Sequence, residues 1–133
     1  MRRDAREAVY KILFAEIFND GADDAFLKET YAEQKLSKED AAFADELLSK
    51  IRENRSEIDA VISDKAKGYT IERIYSTDRC ALTIAICEIL FFNDIPSIVS
   101  IDEALSLVRK YSTEESLNFV NGILATVKKE YDK

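Results

Sequence analysis

The sequence predicts an all-α fold, a compact bundle of about seven helices in two halves, about 1–68 and 69–133, packed as one domain. Three observations carry that expectation. Apolar residues recur at spacings of three and four along most of the chain, and turn formers are scarce, at three Gly and one Pro. Hydrophobic residues at 47% and charged residues at 34% are the balance of amphipathic helices joined by short connections. A chain of 133 residues is long enough to bury a core without disulfides. Met1 leads directly into alternating charged and apolar residues, with no apolar leader, low-complexity tract or internal repeat, so a cytoplasmic protein is expected.

The first helix is expected from about Arg3 to Asn19, closed by Asp20-Gly21, with Val9, Ile12, Leu13 and Ile17 facing inward. Arg3, Arg6, Tyr10 and Phe14 follow one another at three, four and four, so they line one strip that is basic at its start and aromatic further in. Two readings of the strip stand: guanidinium groups on phosphates with a ring stacked on a splayed base, or core rings beneath solvated arginines. A second helix spans Asp23 to Glu33 with Phe26, Leu27 and Tyr31 inward. Ser37-Lys-Glu-Asp40 resembles a capping box and opens a third helix through Phe43, Leu47, Leu48 and Ile51 to about Arg55. The charges around Arg52 to Glu57 form a solvated face. Ile58, Val61, Ile62 and Ala66 mark a short fourth helix that Gly68 closes, and Ile71 to Ile74 a single turn leading to a helix capped by Ser76 or Thr77.

The stretch from Cys80 to Cys87 carries no charge and is apolar everywhere except Thr83, the pattern of a helix buried on most of its circumference. It falls far short of the roughly 20 apolar residues that span a bilayer, and Glu88 and Asp94 follow directly, so no membrane association is expected. Pro96 is expected to stop this helix. Beyond it, Ser100-Ile-Asp-Glu103 and Ser112-Thr-Glu-Glu115 both have capping-box form. They introduce two amphipathic helices, one with Ile101, Ala104, Leu105 and Val108 inward, the other with Leu117, Val120, Ile123, Leu124 and Val127.

Composition excludes several function classes. Cys80 and Cys87 lie seven apart on one helix, about 10.5 Å along its axis against the roughly 7 Å that a disulfide tolerates, so both are expected as reduced core residues. With no His and no second Cys pair, no metal site is expected, and the commonest general base is missing. No nucleophilic triad and no glycine-rich phosphate loop can be assembled, so no catalytic residue and no cofactor are assigned. The net charge of −7 and pI near 4.7 argue against bulk electrostatic binding to nucleic acid. Distribution qualifies that sum, because Arg2, Arg3, Arg6, Lys11 and the terminal amine oppose only Asp4 and Glu7 among the first eleven residues. A small basic site on an acidic body fits contact with a short RNA stretch, assisted by a partner.

Asp78-Arg79, Ile95-Pro96, Val99-Ser-Ile-Asp-Glu-Ala104, Lys110-Tyr111 and Phe119-Val-Asn-Gly122 together resemble the signature of the NusB family of bacterial transcription antitermination factors. The spacings agree as well as the blocks, and the basic N-terminus extends the resemblance over nearly the whole chain. Asp102 stands where the family usually has Asn, and Thr83 where a basic residue is common. The resemblance implies a NusB-like fold and a non-enzymatic adaptor that holds boxA RNA of nascent ribosomal transcripts together with the ribosomal protein NusE, as part of an RNA polymerase antitermination complex.

Carried over by position, the resemblance assigns Arg2, Arg3 and Arg6 to the basic arm, Phe14 to an aromatic position beside it, Glu115 to an acidic position near the RNA face and Phe119 to the motif aromatic on the same side of that helix. Glu115 as a cap and Phe119 as core are the alternatives. A NusE surface is expected on the C-terminal half, with Glu88, Asp102 and Glu103 as polar candidates. Gly122 interrupts a helix at a cost near 1 kcal/mol, which either close helix packing or the approach of a partner would offset. Two other classes fit a helical bundle: an adaptor without RNA binding, and an accessory domain acting with a separate RNA methyltransferase. A homodimer is compatible with the sequence. Three arginines on single-stranded RNA would give a log–log salt slope of roughly 2.

Overall fold

Charged and apolar residues alternating at helical spacing fold here into seven α-helices and one 3-10 turn, with no strand among the described residues. The computed structural model describes residues 1–18 and 23–132. The chain divides into two compact units, Met1–Ser49 and Lys50–Lys133.

The first unit holds α1 (Arg2–Phe18), α2 (Asp24–Glu33) and most of α3 (Lys38–Glu53). Helix α1 buries Val9, Ile12 and Leu13 as its spacing predicts, and Ala5 and Ala8 with them. Ile17 departs from that prediction at 39% exposed. Its spacing puts it on the inward face, but a face is buried only where another element reaches it. The expected Asp20-Gly21 cap lies outside the described residues. The Asp23 carboxylate caps α2 by accepting the Phe26 N–H at 2.8 Å. Phe26, Leu27 and Tyr31 are only half-buried, whereas Thr30 is fully buried and donates its hydroxyl to the Phe26 carbonyl at 2.8 Å. Lys35, at φ 53°, ends this helix in the left-handed conformation that glycine usually supplies. Ser37 accepts the Asp40 N–H at 3.1 Å, so the predicted cap of α3 forms, and Phe43, Leu47, Leu48 and Ile51 are buried beneath it.

The second unit is built around a helix that meets protein on every side. Helix α4 (Arg55–Lys65) buries Ile58, Val61 and Ile62, and the chain turns at Gly68 with φ 86°. A 3-10 turn over Ile71–Arg73 leads into α5 (Ser76–Phe91), in which every residue from Cys80 to Ile89 is buried. Helices α4, α6 (Ser97–Tyr111) and α7 (Glu114–Tyr131) pack around α5. Among the described residues no helix is long and apolar enough to cross a membrane.

Helix ends differ from the sequence reading. The N-cap of α5 is Tyr75, without a side-chain bond, rather than Ser76 or Thr77. Helix α5 stops at Phe91, well before Pro96, and Pro96 instead begins α6 as its N-cap. Its missing N–H costs nothing there, and its φ of −61° suits entry into a helix. Ser100 therefore lies inside the first turn of α6 rather than capping it, and its hydroxyl donates to the Glu88 carboxylate at 2.8 Å. The second box is likewise displaced: Thr113 caps α7 and accepts the Ser116 N–H at 3.1 Å. Ser112 donates to Asp78 at 2.8 Å and Ser116 donates to the other oxygen of the same carboxylate at 2.6 Å. Asp78, 2% exposed, thus ties the start of α5 to the junction between α6 and α7.

Both cysteines are buried and unbridged. Burial, reinforced by the neighbouring Glu88 carboxylate, pushes the Cys87 thiol up to about 12.

Candidate nucleic-acid interface

In the first unit the basic arm is the opening turn of α1. Arg2 and Arg3 are exposed. The Arg2 guanidinium lies 4.3 Å from the centre of the Phe43 ring, and that of Arg6 lies 5.3 Å from the same ring. Arg6 is 4% exposed, which removes it from the surface the sequence assigned to it. Its guanidinium lies against the ring rather than at the surface, so of the three arginines expected in the arm two are exposed. The Met1 ammonium pairs with Asp40, which raises the amine above its ordinary value and holds Asp40 below its own. Lys11 donates to Gln34 at 2.6 Å. Of the two aromatics on the strip, Tyr10 is core at 2% exposed, and Phe14 is half-buried with its ring 5.0 Å from Phe18. Phe18 is 63% exposed, and its spacing of four from Phe14 places it on the same face of α1.

In the second unit Glu115 is exposed and its side chain makes no hydrogen bond or ion pair among the described residues, so its capping role is overturned. Phe119 is half-buried and meets Tyr69 edge to face, with centroids 5.3 Å apart and planes at 67°. Two grooves flank this ring pair. The first, about 260 Å³, is lined by Tyr69, Phe119, Arg73, Tyr75 and Glu115 among others. The second, about 620 Å³, shares Tyr69 and Phe119 and adds Lys67, Asn118 and Gly122. Tyr69, Tyr75 and Arg73 had no signal in helical periodicity, because they lie on the connection between α4 and α5.

The expected partner residues fare unequally. Glu88 is 0% exposed and bonded to Ser100, so it cannot meet a partner surface, a correction that follows from the burial of the whole helix around it. Asp102 is exposed and Glu103 half-buried. Gly122 is exposed, and a Cβ built on it would meet nothing within 4 Å, so close helix packing is not what its missing side chain serves. Among the described residues no group of three or more His, Cys, Asp or Glu could hold a metal ion.

Comparison with known proteins agrees with this architecture. The model of the NusB family matches residues 2–129. The chain is 36% identical to the transcription antitermination protein NusB of Natranaerobius thermophilus, over 99% of this chain and 97% of that protein. It is 38% identical to that of Agathobacter rectalis, over 93% and 96%. Among solved structures, NusB of T. maritima superposes with a TM-score of 0.88 at 37% identity, over 100% of this chain and 94% of that one. A crystal structure of the antitermination factors NusB and NusE in complex with double-stranded RNA aligns at TM-score 0.88 and 25% identity, over 98% and 97%. With sequence matched from end to end and the same helical architecture, this chain belongs to the NusB family.

Proposed function

We propose that this protein is a transcription antitermination factor without enzymatic activity, acting in the cytoplasm. It binds the boxA element of nascent ribosomal RNA together with the ribosomal protein NusE, within the RNA polymerase antitermination complex. The observation that carries the reading is that likeness to antitermination proteins runs through nearly the whole chain. Arg2 and Arg3 contact phosphates, Phe14 and Phe119 offer rings to unstacked bases, and Glu115 faces a base edge. Arg6 acts from beneath, holding Phe43 and through it Arg2. Asp102 and Glu103 belong to the NusE face, where an acidic surface meeting a basic ribosomal protein speeds encounter.

Titration of boxA-type and scrambled single-stranded RNA into the protein, with and without NusE of the same organism, tests this. BoxA-type RNA is expected to bind more tightly than scrambled RNA, and NusE to tighten it several-fold. Equal binding of the two RNAs in the presence of NusE would overturn the proposal.

A further inference from the structure

We infer that the two grooves beside the Tyr69–Phe119 ring pair form one track for single-stranded RNA on the second unit, with the rings stacking bases and Arg73 and Lys67 holding phosphates on either side. The inference rests on the RNA-binding reading above and adds to it a path and four residues, Lys67, Tyr69, Arg73 and Tyr75.

The rings come first. Tyr69 and Phe119 line both grooves, so whatever occupies one groove abuts the same aromatic ridge as the occupant of the other. Their edge-to-face contact leaves Tyr69 53% exposed, and Tyr75, in the first groove, is 66% exposed. Flat rings open to solvent beside grooves are what unpaired bases stack on, whatever the base.

Charge then selects the partner. The side chains of Arg73 in the first groove and Lys67 in the second make no ion pair or hydrogen bond among the described residues. Lys65, which also lines the second groove, is neutralised by Asp64 and Glu130. Each groove therefore carries one cation with an uncommitted side chain beside the same ring pair, the arrangement of a surface that tracks an anionic backbone while stacking its bases. Glu115 repels phosphate, so it is the base edge that faces it, where the carboxylate accepts from an exocyclic amine. In the second groove Asn118 offers an uncommitted amide, both donor and acceptor. Gly122 completes the second groove: a side chain there would meet only open space and would occupy the track.

The test is fluorescence anisotropy of a short labelled boxA-type RNA with the full chain and saturating NusE, alongside thermal melts and calorimetric titration of NusE without RNA. Tyr69→Ala is expected to weaken RNA binding about 10-fold, the scale of one lost base–aromatic stack, while Tyr69→Phe stays within about 2-fold. Gly122→Leu is expected to weaken binding to a similar extent with a Tm at or above that of the unsubstituted protein. Arg73→Gln and Lys67→Gln are each expected to lower the log–log salt slope by about 0.7. If Tyr69→Ala and Gly122→Leu bind RNA normally while loss of Arg2 and Arg3 abolishes binding, the track is overturned and the broader reading stands. Variants that keep RNA but release NusE would make the grooves a protein surface, which also overturns it. Failure of the broader reading looks different: the unsubstituted protein with NusE would not distinguish boxA-type from scrambled RNA.

Discussion

Asp78 shows how a charged residue becomes structural. At 2% exposure its carboxylate is tolerable only because Ser112 and Ser116 each donate a hydroxyl to it, at 2.8 and 2.6 Å. Asp78→Ala is expected to lower stability by about 3 kcal/mol in urea denaturation, because it strands buried hydroxyls as well as removing charge-assisted bonds. Asp78→Asn, which keeps an acceptor oxygen, should cost less. Equal losses for the two variants would show that volume, not hydrogen bonding, matters at this site. Cys87 titrates in the opposite sense to a paired acid. Its thiol ionises near 9.0 when free and is pushed up to about 12 in the folded chain, so the folded state holds the proton more tightly. The stabilisation is complete below pH 9 and is lost as the pH rises towards 12, since only the unfolded chain gains from ionisation in that window. Denaturation midpoints measured across alkaline pH should fall in the native protein and fall less in Cys87→Ala.

At the level of the element, helix faces were more legible than helix starts: Ser37 caps α3 as its box predicts, but the two later boxes do not cap their helices. Phe43, Leu47, Leu48 and Ile51 in α3, and Val120, Ile123, Leu124 and Val127 in α7, are buried as their spacing requires, because periodicity reports a whole face at once. A cap depends on one residue's frame, and Ser-x-x-Glu occurs twice in positions that local competition shifts: Pro96 starts α6 ahead of Ser100, and Asp78 draws Ser112 away from the start of α7. Thr113→Ala should therefore destabilise the protein by about 1 kcal/mol in thermal or urea unfolding, the usual worth of a threonine cap. No effect would return the cap to Ser112. The candidate site was half legible for the same reason. Motif and charge mark Arg2, Arg3, Glu115 and Phe119, which the fold leaves exposed or half-buried, whereas Arg6 and Glu88 are buried, because a charge in sequence does not reveal the ring or hydroxyl beside it. Tyr69 and Arg73 lie on a connection, where no period exists to read.

For the molecule as a whole, the net charge of −7 means that RNA binding must come from a few placed cations working against a repulsive body. The sequence counted three arginines in the arm and a slope of roughly 2. Burial of Arg6 leaves Arg2 and Arg3, and the track adds Arg73 and Lys67. Four contacts at about 0.7 each give a slope of roughly 2.8 for single-stranded RNA, measured by anisotropy over a series of salt concentrations. Replacing Arg2 and Arg3 by Gln should halve it to roughly 1.4, and replacing Arg73 and Lys67 should halve it equally, because each pair releases its own counterions. Base stacking is uncharged, so Tyr69→Ala should shift the whole line to weaker binding and leave its slope unchanged. A slope of roughly 1.4 in the unsubstituted protein, unmoved by loss of Arg73 and Lys67, would confine phosphate contact to the arm.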